Sequence, residues 1–199
     1  MCLLVESIKV QYRIPKNLEY HSARMNSSRQ VMFGIREKID LERILTLPQN
    51  LGEGIYKCRV IYGASILEQH YIPYIPRKIR SLQLVQNDQI EYSHKYLDRS
   101  QLELLRNKIV ADEVLIVKNQ RPTDTFSANV VFYDGISWIT PSKPLLKGTK
   151  RQYLLDKNII LEKDIFVQDI KHFHTCALIN AMCDLDESNT ISVDQIIES

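Results

Sequence analysis

The segment Tyr92–Arg99 has the sequence YSHKYLDR and places a lysine, Lys95, between a strand-like run and the start of a helix. Glu91, Ser93 and Lys95 share one face of the predicted strand, because side chains alternate along a strand. Lysines are rarely buried, so a solvated surface charge is the ordinary explanation of such a residue. In a partly desolvated pocket, however, the pKa of a lysine falls and its neutral amine can attack an aldehyde. The residues alone leave both interpretations open.

The segment 123–129, with the sequence TDTFSAN, contains two further polar residues of interest. Asp124 lies between two predicted strands, where an aspartate ordinarily accepts hydrogen bonds from the turn backbone near Phe126. Asn129 begins the next predicted strand, where it either contacts a ligand or satisfies backbone groups. Neither residue indicates a reaction by itself.

The segment 144–151, with the sequence PLLKGTKR, places Gly148, Thr149 and Lys150 at the predicted start of a helix. The first N–H groups of a helix lack intrahelical partners, and the helix dipole favours an anion there, so phosphate is a suitable ligand. A plain glycine turn with basic neighbours explains the same sequence.

Hydrophobic periodicity predicts a mixed α/β (α+β) chain. The predicted strands cover residues 5–12, 55–62, 65–72, 80–85, 88–93, 114–118, 129–133, 138–140 and 177–182. The predicted helices cover residues 18–33, 40–47 and 147–156, with another beginning at Gln101. Gly34 ends the first helix. Ser100 and Glu103 have the spacing of a capping box before the helix that begins at Gln101.

A proline-rich segment, residues 73–76 (PYIP), predicts a division of the chain. Proline fixes φ and disfavours helix in the residue before it, so this segment follows an extended path. We therefore predict a small N-terminal α/β lobe at residues 1–73, a linker at 74–79 and a larger C-terminal lobe at 80–199.

Composition restricts the class of protein. The chain has 199 residues, 44% of them hydrophobic and 25% charged, which suits a folded protein of one domain or two small lobes. A formal charge of +2 is too small for a nucleic-acid surface, and no apolar run approaches the ~20 residues that span a bilayer. The N-terminus lacks a secretory signal pattern, and the four cysteines form no CxxC. We expect a cytoplasmic protein with reduced cysteines, and neither nucleic acid nor membrane as a partner.

The histidines and acidic pairs do not predict a metal site. His172 and His174 have the spacing of two ligands on one strand face, but no third ligand accompanies them. Asp184 and Asp186 begin like a calcium loop, yet Asn189 stands at the glycine position. No metal is expected.

The order of these motifs resembles the fold-type IV (class IV) pyridoxal-phosphate enzymes, which include 4-amino-4-deoxychorismate lyase and the branched-chain and D-amino-acid aminotransferases. The resemblance implies a two-lobed fold in which Lys95 carries pyridoxal 5′-phosphate as a Schiff base. The run KYLDR from Lys95 to Arg99 is similar to the Lys-aromatic-Leu-polar-Arg arrangement of the lyases, whereas the aminotransferases differ after the lysine. Family members usually have two further strands before the one that begins near Val5, so we expect a shortened small lobe.

The resemblance also implies roles in the larger lobe. Asp124 stands where an acidic residue, more often glutamate, pairs with the protonated pyridine nitrogen, so that the ring can act as an electron sink. Asn129 ends the same motif and is a further candidate contact of the cofactor. The residues expected near the cofactor phosphate are Gly148, Thr149, Lys150 and Ala181.

Two arginines of the small lobe have implied roles. His21 and Arg24 match a His-x-x-Arg pattern on the family's first helix, where Arg24 contacts the cofactor or else pairs with a surface carboxylate. Arg59 stands on the strand where relatives place an arginine for the substrate carboxylate, a role that suits a bidentate guanidinium. A solvent-facing strand arginine is the alternative for Arg59.

The function that the resemblance implies is that of 4-amino-4-deoxychorismate lyase, which releases pyruvate and forms 4-aminobenzoate. One alternative is a class IV aminotransferase that acts on a branched-chain or D-amino acid. Another is a family member that has lost catalysis and serves as a binding protein. By the same resemblance, we expect a small-molecule amino substrate and a homodimer.

Overall fold

The computed structural model describes residues 2–186 and 189–198, and the chain divides into two compact units. The first unit consists of Met1–Pro76 and His94–Asp98, and the second consists of Arg77–Ser93 and Arg99–Ser199. The segment around Lys95, which the sequence placed in the larger lobe, thus belongs to the N-terminal unit. Within the described ranges, the chain has no helix that is both long and apolar enough to cross a membrane.

Between residue 2 and the end of the first unit, the described chain forms a four-stranded antiparallel sheet and two α-helices. Its strands are β1 (Leu4–Gln11), β2 (Ile14–Pro15), β3 (Ile55–Tyr62) and β4 (Ile66–Pro73), and its helices are α1 (Leu18–Phe33) and α2 (Leu41–Ile44). The strand order is β2-β1-β3-β4. Leu4, Ile8 and Val10 of β1 form a core with Met25 of α1, because a strand turns every second side chain to the same face.

Helix α1 ends where the sequence predicts. Gly34 adopts a left-handed φ of 71°, and its N–H donates to the carbonyls of Arg29 and Gln30. Glycine adopts this conformation without the steric cost of a Cβ. The helix predicted at 18–33 is therefore confirmed, whereas α2 is shorter than the predicted 40–47.

In the residues that the structure describes, the second unit contains a nine-stranded mixed sheet and two α-helices. Its strands are β5 (Leu82–Gln86), β6 (Glu113–Lys118), β7 (Arg121–Thr125), β8 (Asn129–Tyr133), β9 (Trp138–Pro141), β10 (Ile160–Lys163), β11 (Thr175–Ile179), β12 (Thr190–Ser192) and β13 (Ile196–Ile197), and its helices are α3 (Ser100–Arg106) and α4 (Thr149–Asp156). The sheet follows the path β10-β9-β8-β7-β6-β5-β13, while β11 pairs with β8 and β12. Leu82, Leu115, Val130 and Phe132 lie in its buried core. The expected α/β (α+β) class is confirmed.

Three local predictions are wrong. Residues 88–93 form no strand. They were predicted to pair with the strand before them, but both edges of that strand, β5, are occupied, one by β6 and the other by β13. The capping box does not form, because Ser100 is already helical and the N-cap residue is Arg99. Asp124 lies within β7 rather than in a turn, since this strand is too polar to be recognised from periodicity.

Candidate active site

Lys95 lies on a short extended segment that pairs with β1 on the edge away from β3. The Val5 N–H donates to the carbonyl of Lys95 at 2.9 Å, and Leu4 and Tyr96 form a bridge beside this bond. The lysine itself is half-buried. Backbone pairing therefore fixes the position of Lys95 in the first unit.

The two neighbours of Lys95 are anchored to the same unit. The Nδ1 atom of His94 lies 3.1 Å from the Oγ atom of Ser28 on α1. The Tyr96 ring packs against the apolar core that β1 shares with α1. These contacts hold the segment on both sides of the lysine.

A fully buried carboxylate, Glu6, lies on β1 in the same row as the apolar core residues. Its Oε2 atom lies 2.6 Å from His21 Nδ1, and its Oε1 atom accepts a hydrogen bond from Arg24 Nε at 3.0 Å. Arg24 Nη2 donates a further hydrogen bond to Oε2. Glu6 thus binds both residues of the His-x-x-Arg pattern. The carboxylate that pairs with Arg24 is therefore buried and does not lie at the surface.

The charges of this cluster follow from its contacts. Burial alone would raise the pKa of Glu6, but the Arg24 charge and the hydrogen bonds lower this pKa to about 2. The pKa of His21 is lowered, mainly by burial and further by the charges of Arg24 and Lys95. At neutral pH, Glu6 is therefore ionised and His21 is neutral, and the histidine donates its Nδ1–H because a carboxylate can only accept.

In the second unit, Asp124 and Asn129 are buried register partners on β7 and β8. Asn129 Nδ2 donates to Asp124 Oδ1 at 2.8 Å and to the carbonyl of Leu146 at 2.9 Å. The Leu146 N–H donates to Asp124 Oδ2 at 2.8 Å. Both carboxylate oxygens are therefore held by neutral donors.

Gly148 packs directly against the Asn129 side chain. A Cβ at Gly148 would lie 2.0 Å from Asn129 Oδ1, a distance that only displacement of the amide could relieve. Gly148 is the N-cap of α4, so the helix begins at Thr149, two residues later than predicted. The structure thus brings together Asp124, Asn129 and the start of α4.

The basic residues after Gly148 are engaged in ion pairs. Lys150 Nζ donates to the carboxylate of Asp184. Arg151 is almost fully buried and donates to the carbonyl of Pro141 at 2.8 Å and to Glu162. A cofactor contact of Lys150 stays a prediction.

The two remaining candidates lie on different units. Ala181 follows β11 in a half-buried turn, and the adjacent Asn180 donates to the carbonyl of Ser127 at 3.1 Å. Arg59 is half-buried on β3, in register with Ser7 of β1 and His70 of β4. Their roles stay predictions.

Sequence reasoning did not select Glu6, and it used Arg99 only as the last residue of the KYLDR run. The signal for Glu6 was present, because a glutamate in the row of Leu4 and Ile8 interrupts an otherwise apolar face. Arg99 donates to the carbonyl of Phe126, and its guanidinium carbon lies 3.8 Å from the centre of that ring. No local pattern announces this contact, because the partners are 27 residues apart.

The described residues contain no group of three or more His, Cys, Asp or Glu side chains that could hold a metal ion. All four cysteines are free thiols.

Known proteins match this chain over 90% or more of its length. An uncharacterised protein of Haemophilus influenzae is 36% identical over 183 residues, which cover 90% of this chain and 95% of that protein. A crystal structure from Haemophilus somnus, provisionally described as a 4-amino-4-deoxychorismate lyase, has a TM-score of 0.83 and 31% identity, and the match covers 93% of this chain and 98% of that one. A hypothetical aminotransferase of Mycobacterium tuberculosis in its PLP-bound form has a TM-score of 0.74 at 16% identity, over 98% of this chain and 81% of that one.

The sequence profile of the family Amino-transferase class IV matches residues 3–185, which is most of the chain. The likeness to the Mycobacterium structure shows the shared fold-type IV architecture. From the profile and the Haemophilus relatives together, the chain belongs to the class IV aminotransferase family.

Proposed function

We propose that this chain is a pyridoxal-phosphate-dependent enzyme that acts as a 4-amino-4-deoxychorismate lyase, releasing pyruvate and forming 4-aminobenzoate. The observation that carries the proposal is Lys95, held by backbone pairing within the lyase-like run KYLDR. The 31% identity with the Haemophilus somnus protein supports the lyase branch.

The donor groups of the chain suit this cofactor. Lys95 supplies a primary amine for the aldehyde, and Asp124 supplies a buried carboxylate for the pyridine nitrogen. The start of α4 at Gly148 and the guanidinium of Arg24 both suit a phosphate. When bound, the cofactor supplies an electron sink for negative charge at the substrate.

Asp124 keeps the pyridine nitrogen protonated in this proposal, since a nearby negative charge favours the charged form of a base. Asn129 and the Leu146 N–H orient the carboxylate for this task, because each binds one of its oxygens. Gly148 permits the arrangement by leaving room for the Asn129 amide.

Lys95 has a second task at the substrate. In its neutral form the amine of Lys95 is a base, and it accepts and returns the proton that the reaction moves. Arg59 binds a substrate carboxylate, a role suited to its planar guanidinium. Aromatisation of the product supplies much of the driving force, so these residues mainly orient the substrate and transfer protons.

The proposal is tested by titrating the purified protein with pyridoxal phosphate, reducing it with borohydride and mapping the labelled peptide by mass spectrometry. We expect a yellow protein with the reduced pyridoxyl group on Lys95. Lys95→Ala should lose the colour, the label and the turnover, whereas Lys108→Ala, at an exposed position, should keep all three. A colourless wild-type protein without label at Lys95 would refute the proposal and favour a non-catalytic binding protein.

A class IV aminotransferase acting on a branched-chain or D-amino acid is the second candidate, because the matching family is named for amino transfer. An amino donor alone, without an oxo acid, separates the two reactions. Conversion of the bound cofactor to its amino form favours the aminotransferase. Pyruvate release from 4-amino-4-deoxychorismate without any oxo acid favours the lyase.

The resemblance also supports a homodimer in the cytoplasm, which we include in the proposal. Sedimentation of the purified protein measures its oligomeric state, and a monomer at working concentration contradicts this part.

A further inference from the structure

We propose that Glu6 is a positioning residue whose buried carboxylate fixes the orientation in which Arg24 receives the phosphate of the cofactor. The inference rests on the proposed function, because the contact between Arg24 and the cofactor is part of that proposal.

The location of Glu6 requires an explanation. It occupies the core-facing row of β1 with Leu4 and Ile8, and all three residues are fully buried. An apolar residue of similar size would satisfy the packing there, and buried ion pairs are often no more stable than such a replacement. A carboxylate in this row therefore indicates a task other than stability.

The contact with Arg24 has two points. Glu6 accepts from Nε with one oxygen and from Nη2 with the other, so the carboxylate and the planar guanidinium lie side by side. Two bonds fix the plane of an arginine, whereas one bond leaves it free to rotate. This pairing uses the Nε side of the guanidinium, so the Nη1 side is turned away from Glu6.

His21 fixes the carboxylate in turn. Its Nδ1 atom lies 2.6 Å from the same oxygen that accepts from Arg24 Nη2. The side chains of Glu6 and His21 have 0% and 1% of their surface exposed, whereas that of Arg24 has 15%. Arg24 is thus the member of the three that an anion from solvent can reach.

Another arginine of α1 provides a contrast. Arg29 is buried and donates to the carbonyls of Ala64 and Glu37 at 2.9 and 2.6 Å, and to the side chain of Asn26. These contacts connect the helix to neighbouring backbone, which is a structural role. Arg29 is therefore a matched control for Arg24.

The experiment compares the affinities of the protein for pyridoxal 5′-phosphate and for pyridoxal, which differ only in the phosphate. Each affinity is measured from the absorbance of the lysine adduct in the wild type and in Glu6→Gln, Arg24→Gln, the double variant and Arg29→Lys. We expect the preference for the phosphorylated form to fall at least tenfold in Glu6→Gln and in Arg24→Gln. The double variant should be no worse than Arg24→Gln, because both changes remove one interaction.

A merely structural Glu6 gives a different result. Both affinities then fall together and the preference for the phosphorylated form stays at the wild-type value, as we expect for Arg29→Lys. That outcome in Glu6→Gln overturns the inference. If Glu6→Gln does not fold, Glu6→Asp keeps the charge but withdraws the carboxylate by one methylene, and an unchanged preference there also overturns it.

The failure of the proposed function is separate from these outcomes. A wild-type protein that forms no adduct on Lys95 with either aldehyde contradicts the proposed function itself. Adducts that form on Lys95 with an unaltered preference in the Glu6 variants contradict only the role of Glu6.

Discussion

Glu6 of the first unit and Asp124 of the second are both buried carboxylates, but their partners differ. Glu6 is bound by a charged arginine and a neutral histidine, whereas an amide and a backbone N–H donate to Asp124. A carboxylate that pairs with an arginine orients that cation, while a carboxylate held at both oxygens by neutral donors is itself oriented. The donors around a buried acid, more than its burial, therefore indicate its task.

Removing the charge at Glu6 should have the largest effect on stability. Glu6→Gln leaves the partly buried Arg24 beside a neutral amide, and breaking a pair in which one charge is fully buried costs about 3–5 kcal/mol in the free energy of unfolding. Urea unfolding without cofactor measures this loss. Glu19→Gln, an exposed change on α1, should alter the free energy by less than about 0.5 kcal/mol, and equal losses in the two variants would contradict the expectation.

The same variant isolates a pH effect. The pKa of Glu6 is about 2 in the folded chain against an ordinary value of 4.5, so the folded state favours the ionised form. Its stabilisation is complete above the ordinary pKa and is lost as the pH falls from about 4.5 towards 2. The wild type should lose stability over this window more steeply than Glu6→Gln, and parallel curves would show that Glu6 does not titrate as described.

In the second unit, the corresponding variant is Asp124→Asn, which removes the charge of the carboxylate but keeps the shape of the side chain. We expect turnover to fall by about 10- to 100-fold, because a hydrogen bond to a charged group contributes about 1.5–3 kcal/mol. Steady-state kinetics at saturating pyridoxal phosphate measure the change. Asp124→Glu keeps the charge and should retain more activity, so a ranking in the opposite order argues against an electrostatic role.

Gly148→Ala tests whether the orientation of Asp124 depends on the Asn129 amide. The added Cβ would lie 2.0 Å from Asn129 Oδ1, so the amide must move and the bonds to Asp124 and Leu146 weaken. We expect a loss of about 1–3 kcal/mol in unfolding free energy, typical of overpacking, together with weaker cofactor binding.

Gly54→Ala is the control for that variant, because its Cβ would lie at an ordinary 3.7 Å from the Tyr56 ring. It should leave cofactor binding unchanged. Wild-type cofactor affinity in Gly148→Ala would show that the amide does not orient Asp124.

Strong local signals in the sequence predicted part of this fold. Helix α1 at 18–33 and strand β3 at 55–62 were predicted to the residue, because periodicity and a glycine stop are encoded within each segment. The failure at 88–93 has a different cause, since joining a sheet depends on which edges distant strands leave open. The cluster of Glu6 is similar, because its partners His21 and Arg24 lie 15 and 18 residues away.

The site shows the same division between local and distant information. The order of the motifs predicted roles for Lys95, Asp124 and Gly148. The sequence contained no local sign that the Asn129 side chain contacts both Asp124 and Gly148. Asp124 itself was predicted to lie between two strands, because the polar residues of β7 gave no strand pattern. Pairing with β6 and β8 accounts for that strand, and neither neighbour can be identified from the polar run alone.

The smallest expected effect belongs to His94, which connects the segment around Lys95 to Ser28 of α1. His94→Ala removes the contact between Nδ1 and Ser28 Oγ, and one such hydrogen bond contributes about 0.5–1.5 kcal/mol to unfolding. Backbone pairing of Lys95 with Val5 persists, so the adduct should still form. A double-mutant cycle with Ser28→Ala measures the coupling. A coupling energy near zero would mean that the contact of His94 with α1 is incidental, and that backbone pairing with β1 and the packing of Tyr96 hold Lys95 in place.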